Sequence, residues 1–361
     1  MCNSKQKNYR FARVRIIWHI FRFLMIIIIG LEVFLQFYNP FSTRIKHNKV
    51  LMPKNVVYEI NQNQTNAIDS HIFHSKNSLG FRGDELPETK SKKIICMGGS
   101  TTECFYLSDG KDWPALLKNK LFAKNKNIWL NNAGMDGHST RGHLELLNSQ
   151  ILKLKPDMIF LMCGLNDISL DTNNRFENKK ISFWRKLYNQ FEIPATIVNL
   201  KRVELAVQSG FNHQIVSDFG AMETIDFSDS EIKKSILEEK PFVKGYEKRL
   251  TEIIKICKKN KIKLVLITQS ILFENTIDVF TDVYFGNKKT GNKNGNWMGK
   301  LLDLYNNKTL AVGKKRGVYV IDLNQRMPQD SRFFYDGYHF SNNGADMVAD
   351  IIFDESKQLF K

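Results

Sequence analysis

Short apolar runs alternate with amphipathic stretches over most of the chain. The runs Lys93–Met97 (KIICM), Ile128–Leu130, Met158–Cys163 (MIFLMC), Lys263–Thr268 (KLVLIT) and Val318–Leu323 read as strands. The third is apolar throughout, as expected of a strand covered on both faces of a parallel sheet. Between the runs lie stretches with helical spacing. Asp112–Ala123 opens on a capping Asp and an early Pro. Ser139–Leu154 sets Leu144, Leu147, Ile151 and Leu154 on one face. Gly245–Lys259, Trp297–Lys315 and Asn342–Ser356 complete the helical set. The alternation predicts an α/β fold, a parallel sheet with helices on both faces.

Three regions depart from the repeat. Insertions at about 169–243 and 271–296 begin just beyond strand C-terminal ends, where an open α/β sheet places its ligand. They are expected to act as a cap or in substrate recognition. The first carries the helical stretches Phe183–Phe191 and Ile197–Ala206. At the N-terminus, residues 16–38 form an apolar run interrupted by His19, Arg22 and Glu32. At 1.5 Å per residue it is long enough to cross a hydrocarbon core of about 30 Å. Five basic residues precede it and no small-x-small cleavage site follows. That pattern predicts a signal anchor at 16–38, with 1–15 cytoplasmic and the remainder outside the cell membrane. Residues 39–91 read as a polar connector, within which Asn77–Gly83 (NSLGFRG) stands apart, and 92–361 as the main domain.

Composition narrows the function classes. The chain has 361 residues, of which 42% are hydrophobic, so a packed domain rather than disorder is expected. The net charge is +16, most of it beyond residue 40. Such a balance suits anionic partners such as phospholipid headgroups or acidic polysaccharide. There is no zinc-finger spacing, RNP motif or continuous basic helix, so nucleic acid is not an expected partner. The five cysteines are odd in number and irregularly spaced, which is no disulfide framework. The histidines at 71, 74, 138, 143, 213 and 339 lack ligand spacing with Cys, and neither metal nor cofactor is expected. His138 and His143 are read as surface helix positions near the glycine block, within reach of substrate.

Four short blocks follow predicted strands in order. Gly98-Gly99-Ser100-Thr101-Thr102 sets a serine between strand and helix, where backbone N–H groups can stabilise negative charge. It is not a G-x-S-x-G elbow, because residue 102 is Thr. Asn132-Ala133-Gly134 can offer an unobstructed N–H. Gly164-Leu165-Asn166-Asp167 places a carboxamide donor at a strand end. In Asp336-Gly337-Tyr338-His339 the i, i+3 pair lets a carboxylate fix the tautomer of an imidazole that takes a serine proton. Each block alone is commonplace; their joint order is not.

With these blocks the chain resembles the SGNH hydrolase superfamily (GDSL-like lipases and esterases), in its membrane-anchored bacterial form. The resemblance covers roughly 92–168 and 244–356, and Gly99 stands where many members have Asp. It implies a three-layer α/β/α flavodoxin-like domain. It also implies a triad of Ser100, His339 and Asp336, and an oxyanion hole from the Ser100 and Gly134 N–H groups and the Asn166 side chain. Arg82, Thr101 and Asp167 are further candidates for substrate contact. The implied activity is hydrolysis of a carboxylic ester, with a small acyl group such as acetyl on a glycan as the leading substrate. An O-acyltransferase, a lipid or lysophospholipid esterase and a non-catalytic glycan-binding domain remain as alternatives.

Overall fold

The computed structural model describes residues 2–38, 44–46, 49–123, 127–169, 190–208 and 215–360. The segment 183–189 and His213, both read above from the sequence, lie outside them. The chain forms two units, Met1–Leu51 with Lys179–Val203, and Met52–Asn178 with Glu204–Lys361.

Helices are α1 (Cys2–Phe37), α2 (Trp113–Phe122), α3 (Thr140–Leu146, extended by a π turn, Leu147–Ile151, and by Leu152–Leu154), α4 (Glu192–Gln208), α5 (Asp229–Lys259), α6 (Gly295–Arg316) and α7 (Asn342–Ser356). Strands are β1 (Val56–Asn61), β2 (His71–Lys76), β3 (Lys92–Gly98), β4 (Ile128–Asn132), β5 (Met158–Met162), β6 (Lys263–Ile267) and β7 (Tyr319–Ile321).

In the smaller unit, Val14–Phe37 of α1 is long and apolar enough to cross a membrane, its most apolar stretch having a mean hydropathy of 2.2. Almost all of its large apolar side chains are exposed. A helix of a water-soluble core would bury such a stripe.

The larger unit is built on a parallel sheet in the order β4-β3-β5-β6-β7. Its central strands are apolar on both faces because helices cover both. Ile94, Ile95, Phe160, Leu161, Val265 and Leu266 are all buried. On the helical layers, α2 packs with α7, while α5 packs with both α3 and α6. The strand order reverses at β3, which lies between β4 and β5. A crevice therefore opens beyond the C-terminal ends of those strands. The loops carrying the four sequence blocks follow β3, β4, β5 and β7.

Two sequence expectations are corrected. Residues 52–91 are not a polar connector but part of the larger unit. There β1 and β2 form an antiparallel hairpin, and the Asn77 side chain clasps the chain between Leu79 and Asp84. Helix α5 begins at Asp229 rather than Gly245, on a capping box formed by Ser228 and Glu231, and runs through Pro241. The internal proline and the polar first turns hid its start. The two insertions also meet each other. Residues 223–225 of the first run beside 287–289 of the second, with Ile225 N donating to Asn287 O and Lys289 N to Glu223 O.

Candidate active site

Ser100 is the first residue of a one-turn helix, Ser100–Glu103, that follows β3. The turn is tight because Gly99 leaves room for another group. A Cβ at Gly99 would lie 2.4 Å from the Asn166 amide nitrogen. A side chain at position 99 and the carboxamide of Asn166 thus compete for one space. At the far end, Arg82 reaches beneath the turn and donates to the carbonyls of Glu103 (2.7 Å), Cys104 (2.6 Å) and Leu107 (2.8 Å). A guanidinium suits that place, since a helix leaves its last carbonyls without partners.

The turn after β7 brings the other two groups to the serine. Asp336 Oδ1 accepts from the N–H groups of Tyr338 and His339, both at 2.7 Å, which folds the i, i+3 pair into one loop. Its Oδ2 lies 2.7 Å from His339 Nδ1, and His339 Nε2 lies 2.8 Å from Ser100 Oγ. With Nδ1–H donated to the carboxylate, Nε2 is left to accept from the serine hydroxyl, a tautomer assigned from the network. The Tyr335 ring stacks on the imidazole at 5.6 Å and 11°. All three polar residues are buried, so water competes little for these bonds.

The donors around Ser100 are less uniform. Ser100 N heads its helix, where first-turn N–H groups have no intrahelical acceptor. Asn166 follows β5, and its Nδ2 donates to His138 O at 3.2 Å, leaving a second amide hydrogen. Gly134 differs from expectation. Its N–H is donated to Asn132 Oδ1 at 2.8 Å. A Cβ there would meet Glu103 N at 2.3 Å and Thr102 C at 2.6 Å, so close packing against the Ser100–Glu103 turn is what requires the glycine. Asn132, not singled out from the sequence for a role of its own, spans the same gap by donating to Thr102 O at 2.7 Å.

Three further candidates fall outside the crevice. Arg82 is buried in the support just described and pairs with Asp109 and Asp112. Thr101 is buried, its hydroxyl accepting from Gln269 Nε2 at 2.8 Å. Asp167 is fully buried and accepts from Thr140 N (3.0 Å) and Arg249 Nη2 (3.1 Å). Burial pushes its carboxyl upward despite Arg249. Sequence spacing brought these residues near the site but could not tell which way they face. His138 and His143 are likewise buried, not surface positions. Burial takes His143 down to about 3.

One supporting residue gave no sequence signal. Gln269, just past β6, accepts from Leu165 N at 2.7 Å while donating to Thr101. It thereby ties the loop of Asn166 to the loop of Ser100. Its own backbone is held on both sides by the Asn306 carboxamide. The second insertion braces the remaining loop. Leu272 N donates to Gly337 O at 2.9 Å, and the Thr290 and Tyr338 hydroxyls bond each other.

Residues 96–347 match the model of the GDSL-like lipase/acylhydrolase family, which is more than half of the chain. No curated protein matches the sequence. Among solved structures, an acetylxylan esterase from Geobacillus stearothermophilus is 14% identical with a TM-score of 0.44, covering 74% of this chain and 96% of its own. A second acetyl xylan esterase is 16% identical with a TM-score of 0.42, covering 73% and 98%. An α/β hydrolase from the metagenome of Lake Arreo, Spain, is 16% identical with a TM-score of 0.41, covering 74% and 96%. With a parallel-sheet domain carrying a serine, an imidazole and a carboxylate in line, and a family match over most of that domain, the chain belongs to the GDSL-like lipase/acylhydrolase family and is an ester-hydrolysing enzyme.

Proposed function

We propose that this enzyme is a membrane-anchored serine esterase that removes a small acyl group, such as acetyl, from a glycan outside the cytoplasmic membrane. The reading rests on the continuous line from Asp336 Oδ2 through His339 to Ser100 Oγ, with both bonds at 2.7–2.8 Å. His339 Nε2 takes the hydroxyl proton as Ser100 Oγ attacks the ester carbonyl. The negative charge on the carbonyl oxygen is met by Ser100 N–H and the second amide hydrogen of Asn166. Gly134 is left out of this pair, since Asn132 holds its N–H. Collapse returns the proton from His339 to the departing alcohol. Water, deprotonated by the same imidazole, then releases the acid and restores Ser100. Asp336 keeps its charge throughout and stabilises the imidazolium.

Two observations support the substrate class and location. A shallow, open groove of about 480 Å³, lined by Gln64, Tyr106, Ile215, Val216, Asp218 and Met222 among others, adjoins the triad loop. Val216 N donates to Tyr335 O, and the Tyr106 ring meets that of Tyr335. Its mixture of aromatic, apolar and polar groups suits a sugar alcohol better than a long acyl chain. The apolar helix Val14–Phe37, preceded by Lys5, Lys7, Arg10 and Arg13, supports an anchor with its N-terminus inside.

The test compares the full-length protein with Ser100→Ala on p-nitrophenyl acetate, longer p-nitrophenyl esters and an acetylated oligosaccharide. Wild type should turn over acetate fastest, and the alanine variant should lose at least about 10⁴-fold. Equal turnover by the two proteins would remove the serine mechanism. A preference for long acyl chains would replace the glycan reading with a lipid one.

A further inference from the structure

Glu32 is the anomaly of the apolar helix. It lies five residues before Phe37, inside the span Val14–Phe37. A carboxylate at membrane depth is costly unless something meets its charge. In the structure its two oxygens accept from Glu192 N at 2.5 Å and Ile193 N at 3.0 Å. These are first-turn N–H groups of α4, which the helix itself leaves without acceptors and which carry the positive end of its dipole. The acid of the anchor thus serves as the cap of a helix from the first insertion.

The two faces of α4 differ. Glu192, Ala195 and Asn199 are buried, and so is Leu35 on the anchor. On the other side, Phe191 is 47% exposed, Ile197 45%, Val198 41% and Leu200 55%. No charged residue occurs from Ile193 to Leu200, and Lys201 ends the run. Eight helical residues rise about 12 Å, well short of the roughly 30 Å needed to cross. The outward apolar side chains are exposed as those of α1 are, and the Glu32 bonds hold the start of α4 against that helix. Exposed apolar side chains of this kind beside a membrane-crossing helix face lipid.

We infer that the first turns of α4 are a second membrane-embedded element, entering the lipid beside the anchor and clamped to it by Glu32. This part of the first insertion, the start of α4, is thus a membrane contact. The inference rests on the anchor reading above, and the experiment separates the two.

The full chain is reconstituted into phosphatidylcholine vesicles and labelled with a membrane-impermeant maleimide. Cysteines are introduced one at a time at Ile197, Leu200, Ile26 in the anchor and Ser230 on the exposed start of α5. Ile197→Cys and Leu200→Cys should react at least tenfold more slowly than Ser230→Cys, and close to Ile26→Cys. Adding Glu32→Ala should bring Ile197→Cys up toward the Ser230→Cys rate. Glu32→Gln, which keeps one acceptor, should have a smaller effect. Fast labelling at Ile197 with Ile26 still protected overturns the inference and leaves the anchor standing. Fast labelling at both overturns the anchor and the inference together. Protection at Ile197 that survives Glu32→Ala overturns the clamp.

Discussion

At the scale of single residues, the site is defined by which hydrogen-bonding groups are already committed. Asn166 keeps one amide hydrogen beyond the one given to His138, whereas the Gly134 N–H is taken by Asn132. Asn166→Ala is therefore expected to lower kcat about 10²- to 10³-fold with little change in KM, read from steady-state kinetics on p-nitrophenyl acetate. A loss confined to KM would mean that Asn166 binds the ground state only. His143 makes a different prediction. Burial disfavours the charged ring and takes it from the ordinary histidine value of 6.5 down to about 3. Below pH 6.5 the unfolded chain binds a proton that the folded chain refuses, so stability falls as pH drops from 6.5 toward 3. Between pH 6.5 and 5 this amounts to about 2 kcal/mol. His143→Phe should flatten the fall of Tm over that range. Coinciding profiles for variant and wild type would show that the ring does not cause it.

Among elements, the loops after β3, β5 and β7 are held by residues from outside the sequence blocks. Gln269 joins the Thr101 hydroxyl to the Leu165 N–H, so on the proposed mechanism it sets the separation of Ser100 and the Asn166 carboxamide. Gln269→Leu should reduce kcat by about ten- to hundredfold at unchanged KM. Gln269→Glu can accept from both the Leu165 N–H and the Thr101 hydroxyl, and should recover most of the rate. If both variants unfold at the same lower urea concentration and lose rate alike, the residue supports the fold and not the alignment. The element boundaries show why the sequence alone missed this. Gln269 has no periodicity and belongs to no motif. Helix α5 is likewise cut short when read from sequence, because Pro241 resembles a boundary although the helix runs through it.

For the whole molecule, the division into two units would, on the proposed reading, separate the chemistry from the membrane contact. Ser100, Asn166, Asp336 and His339 lie within Met52–Asn178 and Glu204–Lys361. A chain beginning at Met52 should therefore keep its rate on p-nitrophenyl acetate within a few-fold. The same chain should self-associate, because residues 191–200 lose the helix that covers their inner face. Light scattering alongside the esterase assay checks both outcomes. A monodisperse product would argue against an apolar surface on α4, and an inactive one would tie the site to the smaller unit.

The alternation of apolar runs was enough to specify a parallel α/β sheet, since burial on both faces forces an uninterrupted strand such as Met158–Met162. The i, i+3 spacing of Asp336 and His339 likewise determined that carboxylate and imidazole share one turn. Length and composition determined that Val14–Phe37 can span a membrane. Direction and commitment were decided only in three dimensions. Arg82, Thr101 and Asp167 stand beside motif residues in sequence, but their side chains turn into the support behind the crevice. Gly134 matches its motif, yet the side-chain amide oxygen of Asn132 already holds its N–H. Glu32 looked like a defect in the apolar helix until its carboxylate met the N–H groups of residues 160 positions away. Hydrophobic period is a local property and can be read along the chain. The partner of a polar group is set by distant segments, and becomes visible only when they are brought together.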